Sequence, residues 1–274
     1  MTLADTASQT DRGPRLIGDS VSLVWRNLLT IKRVPQLLVF ATIQPVIFVL
    51  MFRYVFGGAI PIPGVNYVDY LMPGIFGQTV AFGAISTGIG LAEDMSKGLI
   101  ERFRSLPIAR SAVLIGRTVA DVCRNVFVQI LMTLVGIAVG WRIHGGAIKF
   151  VIAFLLMLGF GFAMSWVFAL LGLVTKNAET TQAAAFPLMA PLVFASNAFV
   201  PVSSMPSWLQ VWARNQPLSV TIAAVRKLTL GDERAAAIGL TESTTSMVLK
   251  AVGWMVLIVA IFAPLAINRY RKGT

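Results

Sequence analysis

The chain has 274 residues, 56% hydrophobic and 13% charged, with a formal net charge of +11 and a mean hydropathy of +0.76. Soluble domains carry about 25% charged residues, so this composition excludes a soluble globule and defines a polytopic membrane protein with room for about five to seven spans. One cysteine, Cys123, excludes an intrachain disulfide, and one histidine, His144, leaves no set of His and Cys ligands for a metal. The basic residues are scattered among apolar runs and form no aromatic-interleaved patch. They read as span-flanking charge facing anionic lipid, and nucleic acid is not a predicted partner.

The N-terminal stretch MTLADTASQTDRGPR is polar and no short apolar run follows it. The expectation is a disordered tail and no signal peptide. From Pro14 onward Ile17, Val21, Val24, Leu28 and Ile31 recur at helical spacing, with Asp19, Ser22, Arg26 and Arg33 opposite. This amphipathic helix ends before Pro35 and is too charged to span. With Trp25, Lys32 and Arg33 it is expected in the membrane interface, or packed as a soluble helix on a partner. Residues 1–35 are therefore set apart from the spanning domain, 36–274.

Leu37 to about Phe56 is the first predicted span, with Gln44 and Pro45 near its middle. Proline frees a backbone carbonyl, so a kink is the favoured reading, with substrate contact as the alternative. The turn-rich connection GGAIPIPGVN leads to a second span, Tyr67 to about Ala92, where Gly74, Gly77, Gly83, Gly88 and Gly90 imply close helix packing. Next comes a charge-dense segment, EDMSKGLIERFRSLPIAR, from Glu93 to Arg110. Glu93 and Asp94 are expected in the first turn of its helix, where the dipole favours acids, and Pro107 stops it. Leu99, Phe103 and Leu106 form a narrow apolar stripe suited to a groove in a partner. The alternative is an ordinary solvated loop.

Ser111 is the expected N-cap of a third helix reaching about Trp141. Arg117, Asp121 and Arg124 share one face near its start and read as an ion-paired stem at the cytoplasmic surface. His144, in the loop WRIHGGAIK, reads as a polar surface residue. The fourth span is Ala147 to Thr175, KNAE is a tight turn, and the fifth span, about Thr180 to Phe199, holds Pro187, Pro191, Ser196 and Asn197. Residues 200–245 are too long for a turn. Ser207 onward, and Leu218 to Val225 followed by Arg226 and Lys227, predict two short helices lying in or dipping into the outer interface, tryptophans at headgroup level. Met247 to Ile267 is the sixth span.

Six spans put both termini on one side. Most of the 23 basic residues then fall there, including Arg12, Arg15, Lys97, Arg102, Arg104, Arg117, Lys176, Arg269 and Arg271, so the termini and the Glu93 segment are predicted to be cytoplasmic. Arg53, Arg142 and Lys149 oppose the rule weakly.

GLIERFRSLPIARSAVLIGR, preceded by Glu93 and Asp94, resembles the cytoplasmic signature of type 2 ATP-binding-cassette export permeases. Gly98, Glu101, Arg102, Pro107 and Arg110 stand at its spacing. FVPVSSMPSWLQVWARNQPLSVTIAAVRKL resembles the segment before the last span in the daunorubicin-resistance type of these permeases. The resemblance covers nearly the whole chain, and the fold it implies is all-α: an N-terminal interfacial helix, six transmembrane helices and short folded-back outer helices.

The resemblance further implies a coupling helix at about 93–110, seated on a cytoplasmic ATPase subunit through Glu93, Asp94, Gly98, Leu99, Glu101, Arg102, Phe103, Arg104, Pro107 and Arg110. No GxxxxGK[ST] phosphate loop occurs in the chain, so ATP and Mg are expected on that separate subunit, with no cofactor in this chain. A second permease subunit, as a homodimer or a sister chain, completes the implied assembly in the plasma membrane. The substrate path would run between the subunits near the second and fifth spans, with Gln78, Phe82, Phe186 and Asn197 as lining candidates. The implied cargo is a small amphipathic drug-like or lipid-like compound. Export of a lipid or polysaccharide precursor is the alternative, and a channel or scaffold a further one. An intramembrane enzyme is disfavoured because the deep positions offer no acid or histidine.

Overall fold

The computed structural model describes residues 36–57, 60, 62–97 and 110–272, and these are helical with no strand among them. The predicted interfacial helix before Pro35 and most of the predicted coupling segment lie outside the described residues. The helices are α1 (Gln36–Met51), closed by a π turn at Phe52–Phe56, α2 (Tyr67–Gly83), α3 (Ile85–Ser96), α4 (Arg110–Ala138), α5 (Ala147–Thr175) and α6 (Ala178–Phe194). A short 3-10 turn then leads to α7 (Ser207–Asn215), α8 (Pro217–Leu230), α9 (Asp232–Ala237) and α10 (Thr244–Lys272). Among the described residues four stretches are long and apolar enough to cross a membrane: Tyr67–Ser96, Thr118–Ala138, Ala147–Thr175 and Thr244–Tyr270. The run Thr42–Phe56 is apolar but shorter. At 17 residues, α6 is about 25 Å long.

Helix α5 is the centre of the bundle. It packs against α2, α3, α4, α6, α8 and α10, and its mean composition is apolar all round, as a buried helix requires. Its ends fall where local chemistry stops a helix. Gly146 precedes it at φ 84°, and Lys176 closes it in the left-handed region at φ 56°, donating its backbone N–H to the Gly172 carbonyl. Asn177 then caps α6, its side chain accepting from the Thr180 N–H at 3.1 Å.

Lipid tails are as apolar as leucine, so helices here cohere through close packing and hydrogen bonds. Small residues set the closest approaches. A Cβ on Gly88 of α3 would stand 2.4 Å from the Phe168 carbonyl oxygen, and one on Gly172 of α5 would stand 2.1 Å from the Gly88 carbonyl oxygen. At Gly74 of α2 a Cβ would stand 1.9 Å from the Ala198 carbonyl oxygen. One large core joins α1, α2, α4, α5, α6, α8 and α10. A smaller cluster of Leu91, Trp166, Ala169, Leu173, Ala266 and Tyr270 ties the far ends of α3, α5 and α10 together.

Several expectations are corrected. The second span is broken at Ala84, and its second half runs through Ser96, so Glu93 and Asp94 occupy the last turn of α3 and not the first turn of a new helix. There the dipole disfavours acids. Helix α4 starts at Arg110, so Ser111 lies inside it, and it ends at Ala138. Helix α6, the fifth predicted span, stops at Phe194, leaving Ser196 and Asn197 in a buried loop. Pro217 stands in the first turn of α8, where proline is tolerated. Helix α8 packs into the bundle, with Leu218, Ile222, Val225 and Leu228 buried in the main core.

Candidate functional site

A cavity of about 200 Å³ opens where three helices are irregular or polar together. It is lined by Gln44 and Pro45 of α1, Gln78, Thr79, Phe82, Gly83 and Ser86 around the α2–α3 break, and Arg124, Asn125 and Val128 of α4. At that point α4 reaches across to α2 and α3. The guanidinium of Arg124 donates to the Gly83 carbonyl at 2.6 Å and to the Ser86 hydroxyl, capturing backbone and side chain at the point where the helix is interrupted. Asp121, one turn away, pairs with Arg124 at 3.5 Å and accepts from Ser86 at 3.4 Å and from Thr87. Asp121 and Arg124 therefore turn inward onto α2 and α3 and are not an exposed surface stem. The structure describes no side chain for Arg117.

Of the sequence-predicted lining residues, Gln78 and Phe82 face this cavity. The Gln78 Oε1 is buried with no partner among the described residues. Phe186 of α6 is 58% exposed, and its ring centroid lies 6.3 Å from that of Phe82, so the two rings flank one side. Asn197 is elsewhere. It is buried in the loop after α6, where its Nδ2 donates to the Ser219 carbonyl at 3.1 Å and its backbone carbonyl accepts from Arg226 and Tyr70. The residues that sequence reasoning missed are Arg124 and Asn125. An arginine pointing the same way as an acid one turn earlier was the available signal.

Asn197 belongs to a structural clamp. Arg226 of α8 is 1% exposed and donates from Nε to the Tyr70 carbonyl at 3.0 Å and from Nη2 to the Asn197 carbonyl at 2.8 Å. Its guanidinium also lies 3.6 Å from the centre of the Tyr70 ring. One acceptor, the Asn197 carbonyl, is in the loop after α6 and the other, the Tyr70 carbonyl, is in the first turn of α2, so carbonyls from two elements and a ring face compensate a buried cation. Tyr67 and Tyr70 add hydroxyl donation to the Phe199 and Asn197 carbonyls, each at 3.2 Å. The start of α2, the loop after α6 and α8 are thus fastened as one piece.

Beside the clamp, His144 is not a simple surface residue. Its ring Nε2 lies 3.0 Å from the carboxylate of Asp69, which is 1% exposed and also accepts the Arg142 N–H at 2.9 Å. Its backbone N–H donates to the Thr229 carbonyl at 2.8 Å. Asp69, an acid inside an apolar span, was itself the signal. Further out, Asp232 accepts from Lys149 at 3.0 Å and from Thr244 at 3.0 Å. These hydrogen bonds hold its carboxyl below the ordinary carboxylate range.

At the opposite end, Glu93 pairs with Lys97 at 3.3 Å, both side chains largely exposed, which contributes only a few tenths of a kcal/mol. Gly98, Leu99, Glu101, Arg102, Phe103, Arg104 and Pro107 lie outside the described residues, and for Arg110 the structure describes the backbone alone.

The described residues are helical and include several apolar spans, the build of a multi-pass membrane protein. Residues 20–230 match the model of the ABC-2 type transporter family, and the chain belongs to that family. It is 34% identical over 272 residues to the daunorubicin resistance ABC transporter permease protein DrrB1 of Streptomyces coeruleorubidus, covering 98% of this chain and 93% of that one. It is 31% identical over 227 residues to the doxorubicin resistance ABC transporter permease protein DrrB of Mycobacterium tuberculosis, covering 80% of this chain and 77% of that one.

Proposed function

We propose that this chain is the permease subunit of an ATP-driven exporter that moves an amphipathic, drug-like or lipid-like compound out of the cytoplasm or the inner leaflet. The observation that carries the reading is the similarity along 98% of the chain to a daunorubicin-resistance permease. The cavity beside Phe82 supports it, because its wall combines an aromatic face with amide, hydroxyl and guanidinium groups. At about 200 Å³ it is smaller than the roughly 300–1,000 Å³ of drug-sized sites. A whole cargo molecule therefore needs a second permease subunit to complete the site, on the side where Phe186 and Leu188 of α6 and Ile43 and Ile47 of α1 are exposed.

In this reading α1, α2–α3, α4, α5, α6 and α10 are the six crossings, and the termini and the Lys97 end face the cytoplasm. The segment from Glu93 to Arg110 seats on a separate ATPase subunit that binds ATP and Mg. ATP-driven closure of the ATPases pushes this segment and, through α3 and α4, the break at Ala84. Because Arg124 and Asp121 bind both sides of that break, the cavity wall and the coupling segment move together.

The test reverses Glu101 and Arg104 in one variant and measures substrate-stimulated ATP hydrolysis by the permease purified with its ATPase. The expected result is an inserted protein whose hydrolysis no longer responds to substrate. Hydrolysis and transport like those of the unaltered protein would overturn the coupling role.

A further inference from the structure

A second cavity, of about 440 Å³, lies at the α8 end of the bundle between α7, α8 and the first half of α10. It is polar at one end and apolar at the other. Arg214 at the end of α7 and Lys250 in the first turns of α10 stand at the polar end with one acid, Glu242. Glu242 is tied to Lys250 and to Ser246, so the pair of cations leaves an excess of positive charge. The apolar end is lined by Trp254 and Leu257, two further helical steps down α10, with Gly253 beside them. A Cβ built on Gly253 meets nothing within 4 Å, so that residue leaves a trough in the helix surface.

The trough is continuous with a face that is apolar and exposed, formed by Leu249, Val252, Val256, Leu257 and Ile261 of α10. Beside the polar end, Trp208 and Trp212 of α7 are 73% and 50% exposed, the arrangement of aromatic side chains at headgroup depth. Charge outermost, tryptophan at the boundary and apolar surface below follow the profile of one membrane leaflet.

We propose that this cavity seats an anionic phospholipid, its phosphate between Arg214 and Lys250 and an acyl chain along Gly253, Trp254 and Leu257. The inference rests on the membrane placement of α10 given above. A bound lipid there wedges α7 and α8 against α10 and steadies the piece that Arg226 fastens to α2. Two cations and a chain-width trough select a lipid with a single negative headgroup over a zwitterionic one.

The full-length permease in mild detergent is titrated with phosphatidylglycerol or with phosphatidylcholine of the same chains, and lipid retention is followed by native mass spectrometry. Phosphatidylglycerol is retained preferentially. Removing one cation, in Lys250→Gln or Arg214→Gln, weakens it roughly fivefold, the strength of one basic residue at an anionic surface. Gly253→Leu, at an open position, abolishes retention of both lipids while the protein stays monodisperse. Equal retention of the two lipids, retention unaffected by Gly253→Leu, or a lost subunit contact in that variant would each overturn the assignment, the last by showing that a second copy covers the cavity. Lipid retention is read without ATP or cargo, so its failure is distinct from failure of the transport reading.

Discussion

Replacing Arg226 with methionine removes the charge and the forked donor while keeping a long apolar stem. Two short hydrogen bonds are lost, to the Tyr70 carbonyl at 3.0 Å and the Asn197 carbonyl at 2.8 Å, together with the stacking on the Tyr70 ring. Hydrogen bonds from charged donors contribute about 1.5–3 kcal/mol each, and the orphaned carbonyls remain buried. Relief from burying a cation offsets part of this, leaving a net loss of about 3 kcal/mol. Lysine at the same site restores the charge but not the planar fork, so it rescues only in part. The assay is thermal unfolding of the detergent-solubilised permease, followed by the loss of its monodisperse peak on size exclusion. A fall of about 6–12 °C is expected for Arg226→Met, against a change within about 2 °C for the exposed Arg234→Met. Equal behaviour of the two variants would refute the clamp.

Gly88→Val places methyl groups against the Phe168 carbonyl, where even a Cβ would stand 2.4 Å away. Overpacking against backbone is expected to cost about 3 kcal/mol or more, and the check is the yield of monodisperse protein against Gly253→Val, whose Cβ meets open space. The carboxyl of Asp232 is held down by Lys149 and Thr244, so its folded pKa lies below the unfolded one. The stability it contributes is complete above the ordinary carboxylate value of about 3.9 and is lost as pH falls through the folded value. Thermal unfolding of Asp232→Asn should therefore differ from the unaltered protein at pH 6 and converge with it in stronger acid. A difference that grows as the pH falls would contradict the sign.

The apolar content and the glycine and asparagine punctuation made most of the helices legible. Helix α5 runs over the predicted residues because Gly146 and Lys176 supply left-handed or near-left-handed backbone on either side of an uninterrupted apolar run. The misplacements share a physical origin: polar residues whose partners are distant backbone groups. Arg226 and Lys227 read as exposed headgroup-level charges, yet Arg226 is satisfied by carbonyls beyond α6, and Lys227 by the carbonyls of Leu240 and Glu242. No sequence spacing announces such acceptors.

The cavity was half legible for the same reason. Gln78 and Phe82 stood out as polar and aromatic side chains in a span, but Arg124 looked like surface charge. Its target is the carbonyl at Gly83, freed by a helix break that only the packing of α4 against α2 and α3 reveals. Asn197 lies apart from the cavity because α6 ends at Phe194, and the following loop is held by Arg226.

The central proposal is that this chain carries cargo outward when a separate ATPase drives it. Inside-out membrane vesicles containing the permease and its ATPase, with the cytoplasmic face outermost, are supplied with ATP and Mg in the medium, and the uptake of daunorubicin is followed by its fluorescence. The account predicts accumulation that requires ATP and the ATPase and that falls on substitution of Phe82 by alanine. Uptake that proceeds equally without ATP, or that requires neither subunit, would contradict it.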